Sequence, residues 1–338
     1  MLSSGQREQV QNLIDLGRTR LRAVVGPPGS GKTTVMAFLV RPDVRSVPKV
    51  GLGFVSAAVF LDRTSTTESI AAELAAQLSA GVDGFAAHHA AVAGEVPEGV
   101  ADDRDAADRD LILPLRRLTG HDVIYILFDG IEQVSPGQLP AVIDLVSRLS
   151  SPADARLSGV RIIVGARSNF IVASHPGLEH AETVTLPAPA WVDVAAAIKD
   201  PAITAVVPDG DGEVPGGWLT VRLAGAMRTA PASFTIADLA RSYMEGLQRD
   251  MRVDRDHLKA LLLLLAAAGT GPVLPIAVLQ RAMNEIGEGR PLTEIRTVLS
   301  ALGPLVQRGN PSQETEHVGL AHAEIANAIL ENRDDAAA

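Results

Sequence analysis

Eight residues near the start of the chain, Gly26-Pro27-Pro28-Gly29-Ser30-Gly31-Lys32-Thr33, constrain its fold more than any other stretch. The run fits G-x-x-x-x-G-K-[ST], and its flanks matter as much as its letters. Residues 21–25 form a short apolar run that reads as a buried strand, and a helix is expected from Lys32 to about Val40. Gly26, Gly29 and Gly31 let the backbone curl so that its N–H groups face inward, and the following helix adds its dipole. Such a cradle binds phosphate. In it Lys32 would bridge the β- and γ-phosphates of a nucleotide and Thr33 would offer a hydroxyl to Mg2+. Pro27, Pro28, Ser30 and Thr34 complete the loop. Lys32 is one of only four lysines in the chain, which disfavours an accidental match.

Further β-rich apolar runs follow at 54–62, 121–129, 159–167 and 181–189. Between them lie helical stretches. Residues 66–80 open with Thr66-x-x-Ser69 and continue in strong helix formers, and 139–150 is amphipathic. An opening helix starts at Arg7 with Val10, Leu13 and Ile14 on one side. Residues 81–103 are rich in Gly, Ala and Asp and read as a loop or a frayed helix. Residues 104–118 read as helical in part, with Pro114 starting, kinking or ending an element. Apolar strands without alternation, separated by helices, predict a three-layer α/β fold with a five-stranded parallel sheet covered on both faces. Ligands of such sheets sit beyond the carboxyl ends of the strands. Gly26, Asp129 and Arg167 all fall there.

Beyond residue 189 the parallel pattern stops. Helices are expected at 191–199, 217–228 and 235–244, with a Gly/Pro/Asp-rich loop at 206–217. Three more are expected at 256–268, 274–286 and 292–302, then a two-stranded wing, then a last helix at 323–332. The expected division is a P-loop NTPase domain over 1–189, a helical domain over 190–250 and a winged-helix domain over 251–338. There is no cysteine, so disulfides and thiolate chemistry are excluded, which fits a cytoplasmic location. The longest apolar run, 258–269, is too short to span a bilayer.

Residues 123–133 read Val-Ile-Tyr-Ile-Leu-Phe-Asp-Gly-Ile-Glu-Gln. Asp129, at the strand end, would hold Mg2+, and Glu132 is the best remaining carboxylate to orient or deprotonate a water. Arg167 either closes its strand at the surface or contacts a γ-phosphate. His322 either caps the last helix or packs in the core, or it donates a hydrogen bond to a phosphate across a domain interface. His88, His89 and His121 lack metal-like partners and read as structural.

The order of these motifs resembles the STAND class of P-loop NTPases, the NACHT and NB-ARC-like signalling switches. Gly5-Gln6-Arg7-Glu8 is similar to the G-R-E start of that class. The Leu-Phe-Asp-Gly-Ile-Glu-Gln run is similar to its h-D-G-h-D-E motif, with Gln133 in place of the last acid. Val164-Gly165-Ala166-Arg167-Ser168 resembles its h-T-S-R sensor, which implies that Arg167 reports a γ-phosphate. Residues 215–227 are similar to its G-x-P-L-A-L helix, with Trp218 replacing the proline that lies beside adenine. Residues 318–325 resemble its winged-helix motif, which implies that His322 reaches the β-phosphate of ADP.

The resemblance implies an ATP/ADP-binding switch with slow hydrolysis, closed on ADP between the NTPase and winged-helix domains. It implies opening on exchange to ATP, self-association, and effector or sensor partners outside this chain. Gln133 agrees with slow hydrolysis, since an amide is not a base. The alternative is an AAA+-type ATPase that binds DNA through its winged helix. Against it, residues 254–338 hold seven basic and eleven acidic residues within a chain of net charge −10, so nucleic acid is not the expected partner. Nothing in the sequence resembles the second pocket or lid of a nucleotide-dependent kinase.

Overall fold

The computed structural model describes residues 13, 19–27, 29–40, 53–95, 105–118, 123–170, 172–197, 204–205, 207–208, 210, 212–227, 233–251, 254–271, 273–309 and 316–331. The expected opening helix lies outside these residues except for Leu13, which is fully buried. The chain divides into two compact units, 1–187 and 188–338.

The first unit is built on strands β1 (Leu21–Gly26), β2 (Ala57–Phe60), β3 (Ile124–Asp129), β4 (Val160–Arg167) and β5 (Glu182–Thr185). They form one five-stranded sheet in the order β2-β3-β4-β1-β5, with every pairing parallel. The expected sheet is therefore present. Its helices are α1 (Lys32–Val40), α2 (Thr67–Gly81), α3 (Phe85–Ala93), α4 (Leu113–Arg117) and α5 (Leu139–Ser150).

Two apolar layers sandwich the sheet, as parallel strands require. On one face Ala57, Val59, Ile126, Phe128, Ile162 and Val164 share a cluster with residues of α2 and α5. On the other, Val24, Ala58, Leu127 and Ile163 pack against Val35, Met36 and Leu39 of α1. The Thr66-x-x-Ser69 signal forms a capping box. Ser69 N–H donates to Thr66 Oγ1 at 3.2 Å, and Thr66 N–H donates to Ser69 Oγ at 3.0 Å.

Two weakly patterned stretches acquire definite structure. α3 occupies part of 81–103 because Phe85 and Val92, seven residues apart, are both fully buried there. Pro114 sits at the start of α4 after a π-helical turn, Asp108–Ile112. A proline cannot donate to the carbonyl four residues back. The ladder slips by one, and Leu113 N–H reaches Asp108 O.

The second unit contains α6 (Trp191–Ala197), α7 (Trp218–Gly225), α8 (Ile236–Met251), α9 (Arg255–Ala268), α10 (Ile276–Glu285), α11 (Leu292–Ala301) and α12 (Ala323–Glu331). Strands β6 (Leu274–Pro275), β7 (Val306–Gly309) and β8 (His317–Leu320) form an antiparallel sheet in the order β6-β8-β7. The two-stranded hairpin read from the sequence thus gains a short third strand. One apolar cluster runs from Val207 to Ile329 through this unit. Beside it the fully buried Glu316 accepts from Arg296 Nε at 2.8 Å and Arg308 Nε at 2.7 Å. Two guanidinium groups balance the one buried carboxylate.

Candidate nucleotide-binding site

The carboxyl edge of the first unit's sheet gathers the groups that the sequence spreads over more than a hundred residues. In register, Gly26 lies opposite Arg167, Asp129 opposite Gly165 and Phe60 opposite Asp129. Side chains paired across parallel strands share a face, here the face covered by α1.

The loop between β1 and α1 has the geometry of a cradle. Gly29 and Gly31 have φ of 75° and 88°, which favour glycine. A Cβ on Gly26 would lie 2.6 Å from both Leu186 O and Ser30 Oγ. Ser30 N–H donates to Pro27 O at 3.1 Å, and Val35 N–H donates to Gly31 O at 2.9 Å, the first turn of α1. Pro28 lies outside the described residues. Thr34 is exposed on α1.

Lys32 folds across its own loop. Its Nζ donates to Gly26 O at 2.8 Å and Pro27 O at 3.1 Å. Burial holds its pKa below the ordinary lysine value, against the pull of Glu132 and Asp129, while Arg167 acts with burial. The Ser168 N–H also donates to Gly26 O, at 3.1 Å, tying the loop after β4 to the phosphate loop.

Asp129 is 6% exposed, and burial is the main cause that raises its pKa. The Thr33 hydroxyl donates to it and opposes that rise, as do Lys32 and the Gly130 N–H, while Glu132 adds to it. Gly130 then turns the chain with φ of 82° into the 3-10 turn Ile131–Gln133. A Cβ there would meet Gln133 Nε2 at 2.8 Å and Leu61 O at 3.2 Å, so with its left-handed φ the position after the acid favours glycine. The turn aims Glu132 at Arg167, whose Nε lies 3.3 Å from Glu132 Oε1. Glu132 Oε2 is buried with no hydrogen-bond partner among the described residues.

The structure therefore brings together the loop glycines, Lys32, Thr33, Asp129, Glu132 and Arg167. Gly165 joins them, and the motif reading passed over it. A Cβ on Gly165 would lie 2.2 Å from Asp129 Oδ1, so the carboxylate occupies the space a side chain would take. The available signal was a glycine inside a β-rich run, which marks close approach.

Trp218 and His322 belong to the second unit. Trp218 opens α7, and its Nε1 is buried without a hydrogen-bond partner among the described residues. The His322 carbonyl accepts the N–H groups of Ile325 at 3.1 Å and Ala326 at 3.3 Å, so the residue starts α12.

A glycine cradle, a lysine in it, and a buried acid hydrogen-bonded to the hydroxyl of the cradle's last threonine fit a nucleotide's phosphates and Mg2+. The unsatisfied Glu132 oxygen beside them fits the same site. The sheet and this site are those of a P-loop NTPase. Consistently, residues 3–160 match a family described as an AAA ATPase domain. No curated protein matches the chain.

Among solved structures, it is similar to a chain of "Structure of Drosophila ORC bound to DNA". The identity is 13% and the TM-score 0.33, over 96% of this chain and 90% of that one. A chain of "Structure of Drosophila ORC bound to AT-rich DNA and Cdc6" gives 9% and 0.31 over 97% and 91%. One from a study of forked-DNA unwinding by two Pif1 helicases gives 17% and 0.27 over 58% and 48%. Likeness at these scores does not distinguish one function from another. These comparisons lend no support to the expectation that nucleic acid is not a partner. No helix among the described residues is long and apolar enough to cross a membrane.

Proposed function

We propose that this chain is an ATP/ADP-binding switch that hydrolyses ATP slowly, in the manner of the STAND-class signalling ATPases. One observation carries the reading: Glu132, the carboxylate that would activate water, is engaged by Arg167 at 3.3 Å. The guanidinium that engages its Oε1 is also a ligand for a γ-phosphate, so the pair couples this carboxylate to the state of the nucleotide. Gly130 and Gln133 supply no second acid beside it. Thr33 and Asp129 would hold Mg2+, which would offset charge on the phosphates. Lys32 would leave the carbonyls of its own loop for the phosphates.

The proposal extends to residues 188–338 as helical and winged-helix parts of the switch. There Trp218 would stack on adenine and His322 would hold the β-phosphate of ADP. Exchange of ADP for ATP would release the closed form for self-association and for effector or sensor partners.

The test is the identity and fate of the nucleotide. Denaturing the purified protein should release ADP. Lys32→Ala should bind neither nucleotide, Arg167→Ala should lose ATP affinity more than ADP affinity, and His322→Ala should do the reverse. A nucleotide-free protein with rapid multiple turnover refutes the switch. Strong, salt-dependent duplex binding would favour a DNA-directed AAA+ ATPase instead.

A further inference from the structure

Among the described residues β2 is an outer strand of the five-stranded sheet, paired with β3 alone. Successive residues of a strand turn their backbone groups to opposite sides. Leu61 N–H donates inward to Asp129 O at 2.8 Å, which leaves Ala58 and Phe60 facing out. The strand reads Ala-Ala-Val-Phe, short and without charge, and Phe60 is 53% exposed. An apolar outer strand is a template for another strand wherever its outward donors and acceptors are left open.

Gln77 of α2 meets that edge from the side. Its Oε1 accepts from Ala58 N–H at 2.8 Å, and its Nε2 donates to Ala58 O at 2.9 Å. This is the two-bond exchange that a residue on an antiparallel neighbour would make. Nε2 also donates to Glu73 Oε1 at 3.3 Å, one turn back on α2. The nitrogen thus faces two acceptors and the oxygen faces a donor, so the amide has one orientation.

We propose that Gln77 stands in for a sixth strand and closes the β2 edge against antiparallel pairing with β2 of a second copy of this chain. Pairing about a two-fold axis would place like edge on like edge and cover Phe60. The contact is independent of the nucleotide and of the switch proposed above.

The test compares Gln77→Met, similar in length but unable to pair with Ala58, with its parent in a Lys32→Ala background. That background removes nucleotide-driven association. Light scattering across a dilution series should show concentration-dependent association of the Met variant and none of the parent. Adding Phe60→Lys should reverse it, because a charge on the edge opposes pairing. A folded Gln77→Met variant as dispersed as its parent overturns the proposal, as does association that survives Phe60→Lys. Should Gln77→Met fail to fold, hydrogen exchange of the unaltered protein decides. The Ala58 amide should be protected as well as that of Leu61; exchange at the rate of an open amide overturns the idea.

Discussion

Replacing Gly165 by alanine tests whether the placement of Asp129 is set by an absent side chain. The new Cβ would sit 2.2 Å from Asp129 Oδ1, and 3.2 Å from both Asp129 Cγ and Met36 Cε. Ordinary contact begins near 3.4 Å, so the carboxylate has to retreat by about 1 Å. The backbone cannot give way instead, because β4 is bonded on both sides, to β3 and to β1. Overpacking of this kind costs about 1–3 kcal/mol of stability. The functional cost is of the same size, since a displacement of about 1 Å at a reacting group lowers rates roughly 100-fold, about 2.7 kcal/mol. The assay is Mg2+-dependent ATP turnover, with nucleotide affinity measured in the presence and absence of Mg2+. Turnover and the Mg2+-dependent part of binding should fall, while Mg2+-free binding persists because Lys32 and the loop are untouched. A folded variant with unaltered turnover would show that Asp129 has slack the structure denies it. Equal loss of Mg2+-free binding would point to general damage to the sheet.

Two further substitutions probe buried charge. Asp129 has a raised pKa in the fold, chiefly from burial, so its contribution is favourable at low pH and is lost as pH rises through the folded value. Nucleotide-free Asp129→Asn should therefore melt higher than the parent at neutral pH. The gap should close as pH falls toward the ordinary aspartate value of 3.8, and a pH-independent gap would contradict the cause given. Glu316→Ala leaves two arginines facing each other without their acid. Urea unfolding should show a loss of about 3 kcal/mol or more. A loss within about 0.5 kcal/mol would mean that the triad relaxes into solvent.

Local chemistry accounts for what was legible. The GPPGSGKT run, the capping box at Thr66 and the strand ending in Asp129 are decided within a few residues of themselves. Each therefore reads directly from the letters. Residues 81–103 offered no period, and α3 exists because the sheet's partners bury Phe85 and Val92. Pro114 announced a disturbance but not its form, since a slipped ladder depends on where the next carbonyl lies. Gln77 looked like an ordinary helix former; its role depends on which strand of the sheet is outermost.

The same division holds at the site. Sequence by itself determined that a phosphate loop is present, that a carboxylate ends the third strand and an arginine the fourth, and that the parallel strands would bring them to one edge. These follow from backbone geometry that glycine, lysine and apolar runs impose locally. Tertiary structure alone decided the order β2-β3-β4-β1-β5, which puts β4 between the phosphate-loop strand and the acid. It also decided that Gly165 makes room for Asp129 and that Arg167 engages Glu132. Those outcomes depend on distances between residues far apart in the chain, and such distances are set by packing rather than by any local run of residues.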